Sequence, residues 1–281
     1  MRKHFVLLGL ASFLVLGCAV QPLALVLDLN VNSTSLVWQP ATDGLVYARV
    51  SLVLQNYQDS TQRRSLLIAH VDPKKFHFHL FQNPDLKTAK SVGEIHQQQG
   101  SLLTFNGAFF SEDFKALGYL KADGNELHKL SKSALFNGIF AIFADGHAGL
   151  IGRDQFAADQ ALAPTTPSTI SFAIQNGPIL LDDQGQIKIV SDDGKLASRT
   201  ALGLDKDGNI VVILLKQTLL DTDNTLTLYQ FAHLLKDAAL LQPLGLHAVL
   251  NLDGGPSSGL MIDGHYYAEM NKVQNVITVT H

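Results

Sequence analysis

Four Asp-Gly steps, at Asp123-Gly124, Asp145-Gly146, Asp207-Gly208 and Asp263-Gly264, each lie between apolar runs and constrain the fold more than any other feature of the sequence. Asp and Gly tolerate the positive φ that tight hairpins require, so each step predicts a strand folding back on its neighbour. Strand-like runs cover 45–54, 65–71, 76–81, 102–105, 139–143, 171–175, 200–204, 210–215, 248–252 and 276–279. Helical spacing is clearest from Thr227 to Leu241, where Leu228, Phe231, Ala232, Leu235 and Ala239 share a face, and is fainter from Thr88 to Gln98. Helices are too few to alternate with the strands as a Rossmann fold or an α/β barrel requires. The pattern predicts an α+β chain: a single domain with a mixed, largely antiparallel sheet and a few packed helices. Asp205, Asp207 and Asn209 imitate the start of a calcium loop. Ile210 and Lys216 then occupy the positions that need glycine and glutamate, so the segment reads as a hairpin.

The first residues carry different information. A cationic Met1-Arg2-Lys3-His4 precedes an apolar run from Phe5 to Leu16, which suits the core of an export signal and is short for a membrane span. The run ends in Val15-Leu16-Gly17-Cys18, which resembles a bacterial lipobox, and Cys18 is the sole cysteine. We therefore expect residues 1–17 to be a lipoprotein signal peptide and Cys18 to be the lipidated residue, an anchor without a transmembrane helix. An ordinary secretory signal with an incidental cysteine, or a helix that stays in the membrane, is the alternative. Ala19, rather than Asp, favours the periplasmic face of an outer membrane in the bacterial cell envelope. One cysteine also excludes a disulfide framework and a cysteine-rich zinc site. With 21 Lys and Arg against 25 Asp and Glu, the chain has no general attraction for nucleic acid.

Several motifs could carry chemistry. Asn251-Leu252-Asp253-Gly254-Gly255-Pro256-Ser257-Ser258 brings a carboxylate, two glycines and two hydroxyls to the end of an apolar strand, where successive amides could form an anion nest. A tight turn with a capped Asp fits the same residues. Gly255-Pro256-Ser257-Ser258-Gly259 satisfies the pattern of a serine nucleophile elbow. However, Leu260-Met261-Ile262 runs into a hairpin where that motif needs a helix. Arg199 and Thr200 stand at a strand entry, and a guanidinium there suits a phosphate or a neighbouring acid. Asn106-Gly107-Ala108-Phe109-Phe110 and Gln175-Asn176-Gly177-Pro178 place amides and glycines at other strand ends. His77 and His79 share a strand face without a third ligand, so no metal site is expected.

In their order along the chain these pieces resemble the phosphodiester glycosidase family. Asn106 to Phe110 is similar to its N-G-G-F-F element, Asn137-Gly138-Ile139-Phe140 to N-G-V-F, and Gln175 to Leu180 to S-G-P-x-L. Arg199 to Gly203, Tyr229 to Ala232, Leu252 to Ser258 and Val273 to Val276 resemble R-T/N-x-x-G, the aromatic F-A helix, L-D-G-G-x-S-S and the closing V-x-N strand. Ala108 stands where the family has a second glycine, and Asn176 where it has a small residue. The likeness assigns residues 100–281 to the core and leaves 18–99 as accessory strands of the same domain. It implies hydrolysis of the glycosidic bond of a sugar-1-phosphodiester substrate, without cofactor or catalytic metal. On that reading Asp253 and Arg199 are catalytic: Asp253 stabilises an oxocarbenium-like sugar or activates water, and Arg199 stabilises the departing phosphate. Asn106 and Asn176 would orient the substrate, and Thr200, Gly254, Gly255, Ser257 and Ser258 would cradle its phosphate. The alternative is an envelope lipoprotein that binds glycan phosphates without turning them over.

Overall fold

The computed structural model describes residues 29–31, 36–55, 61–162, 170–217 and 225–281. The expected signal peptide and Cys18 lie outside the described residues. In chain order the elements are β1 (Leu29–Val31), β2 (Gln39–Thr42), β3 (Leu45–Gln55), β4 (Thr61–Val71), β5 (His77–Gln82), α1 (Val92–Gln99), β6 (Leu103–Asn106), β7 (Leu120–Ala122), β8 (Asn125–His128), β9 (Gly138–Phe143) and β10 (Ala148–Gly152). They continue with α2 (Arg153–Leu162), β11 (Ile170–Asn176), β12 (Ile179–Leu181), β13 (Arg199–Leu204), β14 (Ile210–Gln217), α3 (Leu228–Asp237), β15 (His247–Asn251), β16 (Leu260–Ile262), β17 (His265–Tyr267) and β18 (Asn275–Thr280).

Each Asp-Gly step joins an antiparallel pair: β7–β8, β9–β10, β13–β14 and β16–β17. At Asp123-Gly124 and Asp263-Gly264 both turn residues have positive φ, the conformation whose twist matches the flanking strands. In the β13–β14 hairpin Asp205 accepts from the amides of Asp207 and Asn209 and pairs with His70, which accounts for its aspartates without a cation.

The strands form three antiparallel sheets. The largest runs β1-β3-β4-β14-β13-β15-β12, with β2 on β3; the others run β10-β9-β11-β7-β8 and β17-β16-β6-β18-β5. Alternating side chains of all three meet in one core, including Leu67, Leu202, Leu214 and Leu250 from the first, Phe140 and Phe172 from the second, and Phe105 and Ile277 from the third. Each sheet's other face takes a helix. Phe231, Ala232 and Leu235 of α3 pack on the first, Phe156 of α2 on the second, and Val92 and Ile95 of α1 on the third. This is the expected α+β class, with three sheets in place of one. Residues 45–82 supply strands to two of those sheets.

Capping fixes two of the helices. Ser91 with Glu94 and Thr227 with Gln230 each form a reciprocal capping box. The second helix stops at Asp237, so Ala239, expected on its apolar face, lies outside it and is exposed.

Candidate active site

Strands β6, β11 and β13 to β15 bring chain ends from all three sheets to one region of the molecule. Register places the two expected catalytic segments side by side. Ala201 pairs with Asn251, and the Leu252 amide donates to the Thr200 carbonyl at 2.9 Å, so 199–200 and 252–253 run together. The Asp253 amide donates to the Gly107 carbonyl at 3.1 Å. Asn106 completes the junction: its Nδ2 donates to the Asp253 carbonyl at 2.7 Å, and its Oδ1 accepts from Thr200 Oγ1 at 2.8 Å and from the Gly259 amide at 3.1 Å.

Asn106 and Thr200 are both fully buried, and their polar groups are spent on one another and on the loop. The two side chains, expected as substrate contacts, brace the backbone that carries Asp253. The amides of the expected anion nest are engaged within the chain. The amides of Gly254, Gly255, Ser257 and Ser258 all donate within the chain, to Asp253 Oδ1 and to the carbonyls of Ser198, Gly254 and Gly255. Ser258 Oγ is buried without a hydrogen-bond partner.

Asp253 is the reactive group that remains. It is partly buried, and loss of water raises its pKa to about 6, against the opposing pull of the Ser257 hydroxyl and the Gly254 amide. No ion pair joins it to a cation among the described residues. Arg199 lies on the neighbouring strand, but its Nε donates to the Leu226 carbonyl at 3.0 Å and its Nη2 to the Lys195 carbonyl at 2.6 Å. The guanidinium is thus held by main-chain oxygens, and no hydrogen bond or ion pair to Asp253 is found among the described residues.

Asn176 is fully buried at the end of β11; its Oδ1 accepts from the Phe109 amide at 3.4 Å while its Nδ2 has no partner. Phe109 and Phe136 face each other there with ring centroids 5.7 Å apart. Gln175, on the opposite face of β11, clamps the 131–136 loop through bonds to Ser131 and Phe136. Three further residues take part that sequence reasoning passed over. Asn251 Nδ2 donates to the Gly177 carbonyl at 3.0 Å while its Oδ1 is buried without a partner. Asn275 binds both the amide and the carbonyl of Ala108. Lys216 donates to the carbonyls of Ser258 and Ala268, and burial lowers its pKa. Asn251 and Asn275 lay inside quoted motifs; Lys216 had no local signal at all.

Fold and site together define an antiparallel α+β protein whose three sheets converge on one carboxyl group that no cation pairs with among the described residues. The chain belongs to the phosphodiester glycosidase family, whose model matches residues 99–280. Among solved structures it is similar to the zebrafish N-acetylglucosamine-1-phosphodiester alpha-N-acetylglucosaminidase catalytic domain auto-inhibited by its pro-peptide. That match has 18% identity and a TM-score of 0.65 and covers 88% of this chain and 87% of that one. A hypothetical protein from Synechocystis matches with 16% identity and a TM-score of 0.62, over 88% of this chain and 64% of that one. A protein from Burkholderia pseudomallei matches with 14% identity and a TM-score of 0.56, over 80% of this chain and 75% of that one. These identities show a shared fold. No curated protein matches the sequence significantly.

Proposed function

We propose that the protein hydrolyses the glycosidic bond of a sugar-1-phosphodiester, with Asp253 as the group that handles the proton. The observation that carries this reading is the state of Asp253: a partly buried carboxyl group with its pKa raised to about 6, fixed where three sheets meet. A carboxyl group poised close to neutral pH exchanges protons efficiently with water. In the reaction, water attacks the anomeric carbon, the bond from that carbon to the phosphate oxygen breaks, and the phosphomonoester departs with the bonding pair. Asp253 takes the proton released by the attacking water. Phosphate is already a good leaving group, so the stabilisation needed is that of an oxocarbenium-like sugar. The Asp253 carboxylate supplies it electrostatically, with the Ser257 hydroxyl beside it. Asn176 Nδ2, the buried donor without a partner, would turn to a sugar or phosphate oxygen. Arg199 acts one step back, tying the Lys195 and Leu226 segments to the strand beside Asp253.

The test is incubation of the protein with UDP-N-acetylglucosamine and with the methyl phosphodiester of the same sugar, followed by mass spectrometry of the released sugar. The parent should release it and Asp253→Asn should lose at least 100-fold in rate, as removal of a general base does. Equal rates in parent and variant would refute the role of Asp253, and binding without release would make the protein a glycan-phosphate binder.

We propose further that Cys18 carries a lipid that holds the protein at the cell envelope. Palmitate incorporation should vanish in Cys18→Ala; incorporation that persists refutes the anchor.

A further inference from the structure

A cavity of about 480 Å³ opens between the end of the β5–β18 pair, the 114–116 segment and the end of β8. Asn83 and Gln274, almost fully buried, form one wall and are rigid. Asn83 Nδ2 donates to the carbonyls of Lys90 and Val273, while Gln274 Oε1 accepts from Asn275. Phe114 forms the facing wall with φ at 61°, a backbone conformation that a bulky residue adopts only when its surroundings enforce it. Its ring meets Phe110 edge-on at 5.3 Å.

The charge inside is one-sided. Lys115 and His128 line the cavity and no Asp or Glu does. Lys115 makes no ion pair among the described residues. The Nδ1 of His128 bonds the Gly118 carbonyl at 2.8 Å, which leaves Nε2 as the ring atom available to a ligand. By contrast, the cavity of about 390 Å³ at the other end of β11 mixes Lys74 and Lys75 with Asp123 and Asp145, a lining that selects no ligand charge.

Position relates the first cavity to Asp253. The Asp253 amide bonds the Gly107 carbonyl, the Gly107 amide bonds the Asn275 carbonyl, and Gln274 is next in the chain. Those two lateral steps amount to about 10 Å at ordinary strand spacing. A diphosphate-linked group reaches that far from the anomeric carbon and a methyl phosphate does not. We propose that this cavity is the subsite for the leaving group, and that it selects substrates whose phosphate bears a further anionic, hydrogen-bonding group such as a nucleoside phosphate. The inference rests on the glycosidase reading for its place in the reaction.

The experiment compares UDP-N-acetylglucosamine with the methyl phosphodiester of the same sugar in the parent, Lys115→Met and His128→Gln. The ratio of kcat/KM for the larger substrate over the smaller should fall by about twofold to fivefold in each variant, the size of one lost exposed contact. An unchanged ratio overturns the subsite. Independently, UMP titrated into the labelled protein should shift the amide signals of Lys115, His128 and Gln274, and Lys115→Met should weaken that binding by a similar factor; no shift at these residues overturns it. A parent that binds UMP there but cleaves neither diester keeps the cavity and refutes the glycosidase reading. A parent that cleaves both, with the same ratio as its variants, does the reverse.

Discussion

Asn106→Ala tests the junction on which the site depends. Asn106 is 0% exposed, and its side chain satisfies the Asp253 carbonyl, the Gly259 amide and the Thr200 hydroxyl. Truncation leaves all three in a dry position. An orphaned backbone amide costs about 1–3 kcal/mol, the carbonyl keeps a second lone pair and costs less, and the hydroxyl can rotate. The sum is about 3 kcal/mol, or a fall of roughly 6–12 °C in Tm for a domain of this size. Urea unfolding followed by circular dichroism measures it, with Thr200→Val as the companion variant. That substitution removes one donor and should cost about 1 kcal/mol. The double variant should cost less than the two singles added, because both disrupt one hydrogen bond. Turnover should also fall in Asn106→Ala, since the Asp253 backbone is released. A loss below about 1 kcal/mol, or strict additivity with Thr200→Val, would refute the claim that Asn106 holds the Asp253 loop.

Other perturbations report on neighbouring parts of the argument. Asp253 binds its proton more tightly in the fold, with a pKa of about 6, than in the unfolded chain, where 3.8 is ordinary. Its contribution is therefore fully present below about pH 4 and is lost as pH rises through about 6. Asp253→Asn should consequently be more stable than the parent at about pH 8, by roughly 1–3 kcal/mol in urea titrations, with the gap closing below about pH 4. Parent turnover should fall as pH drops below about 6, because the base must be ionised. Arg199→Lys should lose about 1–2 kcal/mol of stability, because a lysine cannot hold both carbonyls, and should leave KM within about twofold. A rise in KM above about tenfold at unchanged stability would return the guanidinium to the phosphate. At Gly107 a Cβ would lie 2.0 Å from Asn275 Oδ1, the atom that receives the Ala108 amide. Gly107→Ala should cost about 3 kcal/mol or more by thermal melting, and an unchanged Tm would show that Asn275 is free to move.

Strand positions were legible because the code for them is local. All ten apolar runs became strands, since alternation and Asp-Gly turns act over a few residues. Helix α2 was not legible: among its described side chains Phe156 is the one large buried one, too little for a periodic signal. The short strand β12 was hidden for a related reason, because three residues show no alternation. At the site, the sequence located Asp253, Arg199, Asn106 and Thr200 in one neighbourhood but not the hydrogen bonds that three of them make within the chain. Residue type says that an amide or a guanidinium can bind a ligand. Whether it does depends on what else needs its hydrogen bonds, and the carbonyls of Asp253, Leu226 and Lys195 have the prior claim on Asn106 and Arg199. Lys216 illustrates the limit, since only tertiary contact sets its amine against Ser258 and Ala268.

The arrangement separates scaffolding from chemistry. Asn106 and Asp253 are 147 residues apart and Asn275 and Ala108 are 167 apart, yet each pair is joined directly by hydrogen bonds. The motifs around Asn106, Asn176, Arg199, Asp253 and Asn275 sit at strand termini, so each is short and weak when read alone, and the sheets deliver those termini to one place. Buried amides suit this task because they satisfy backbone donors and acceptors without bringing charge. A cation used as the brace next to Asp253 would favour its ionised form and pull its pKa back down. Arg199 is instead turned onto the Leu226 and Lys195 carbonyls and Lys216 onto those of Ser258 and Ala268, so both cations are engaged by main-chain oxygens. The carboxyl group is left with water exclusion as the dominant influence on its proton, and that sets it close to the pH at which a single group can both take up and release one.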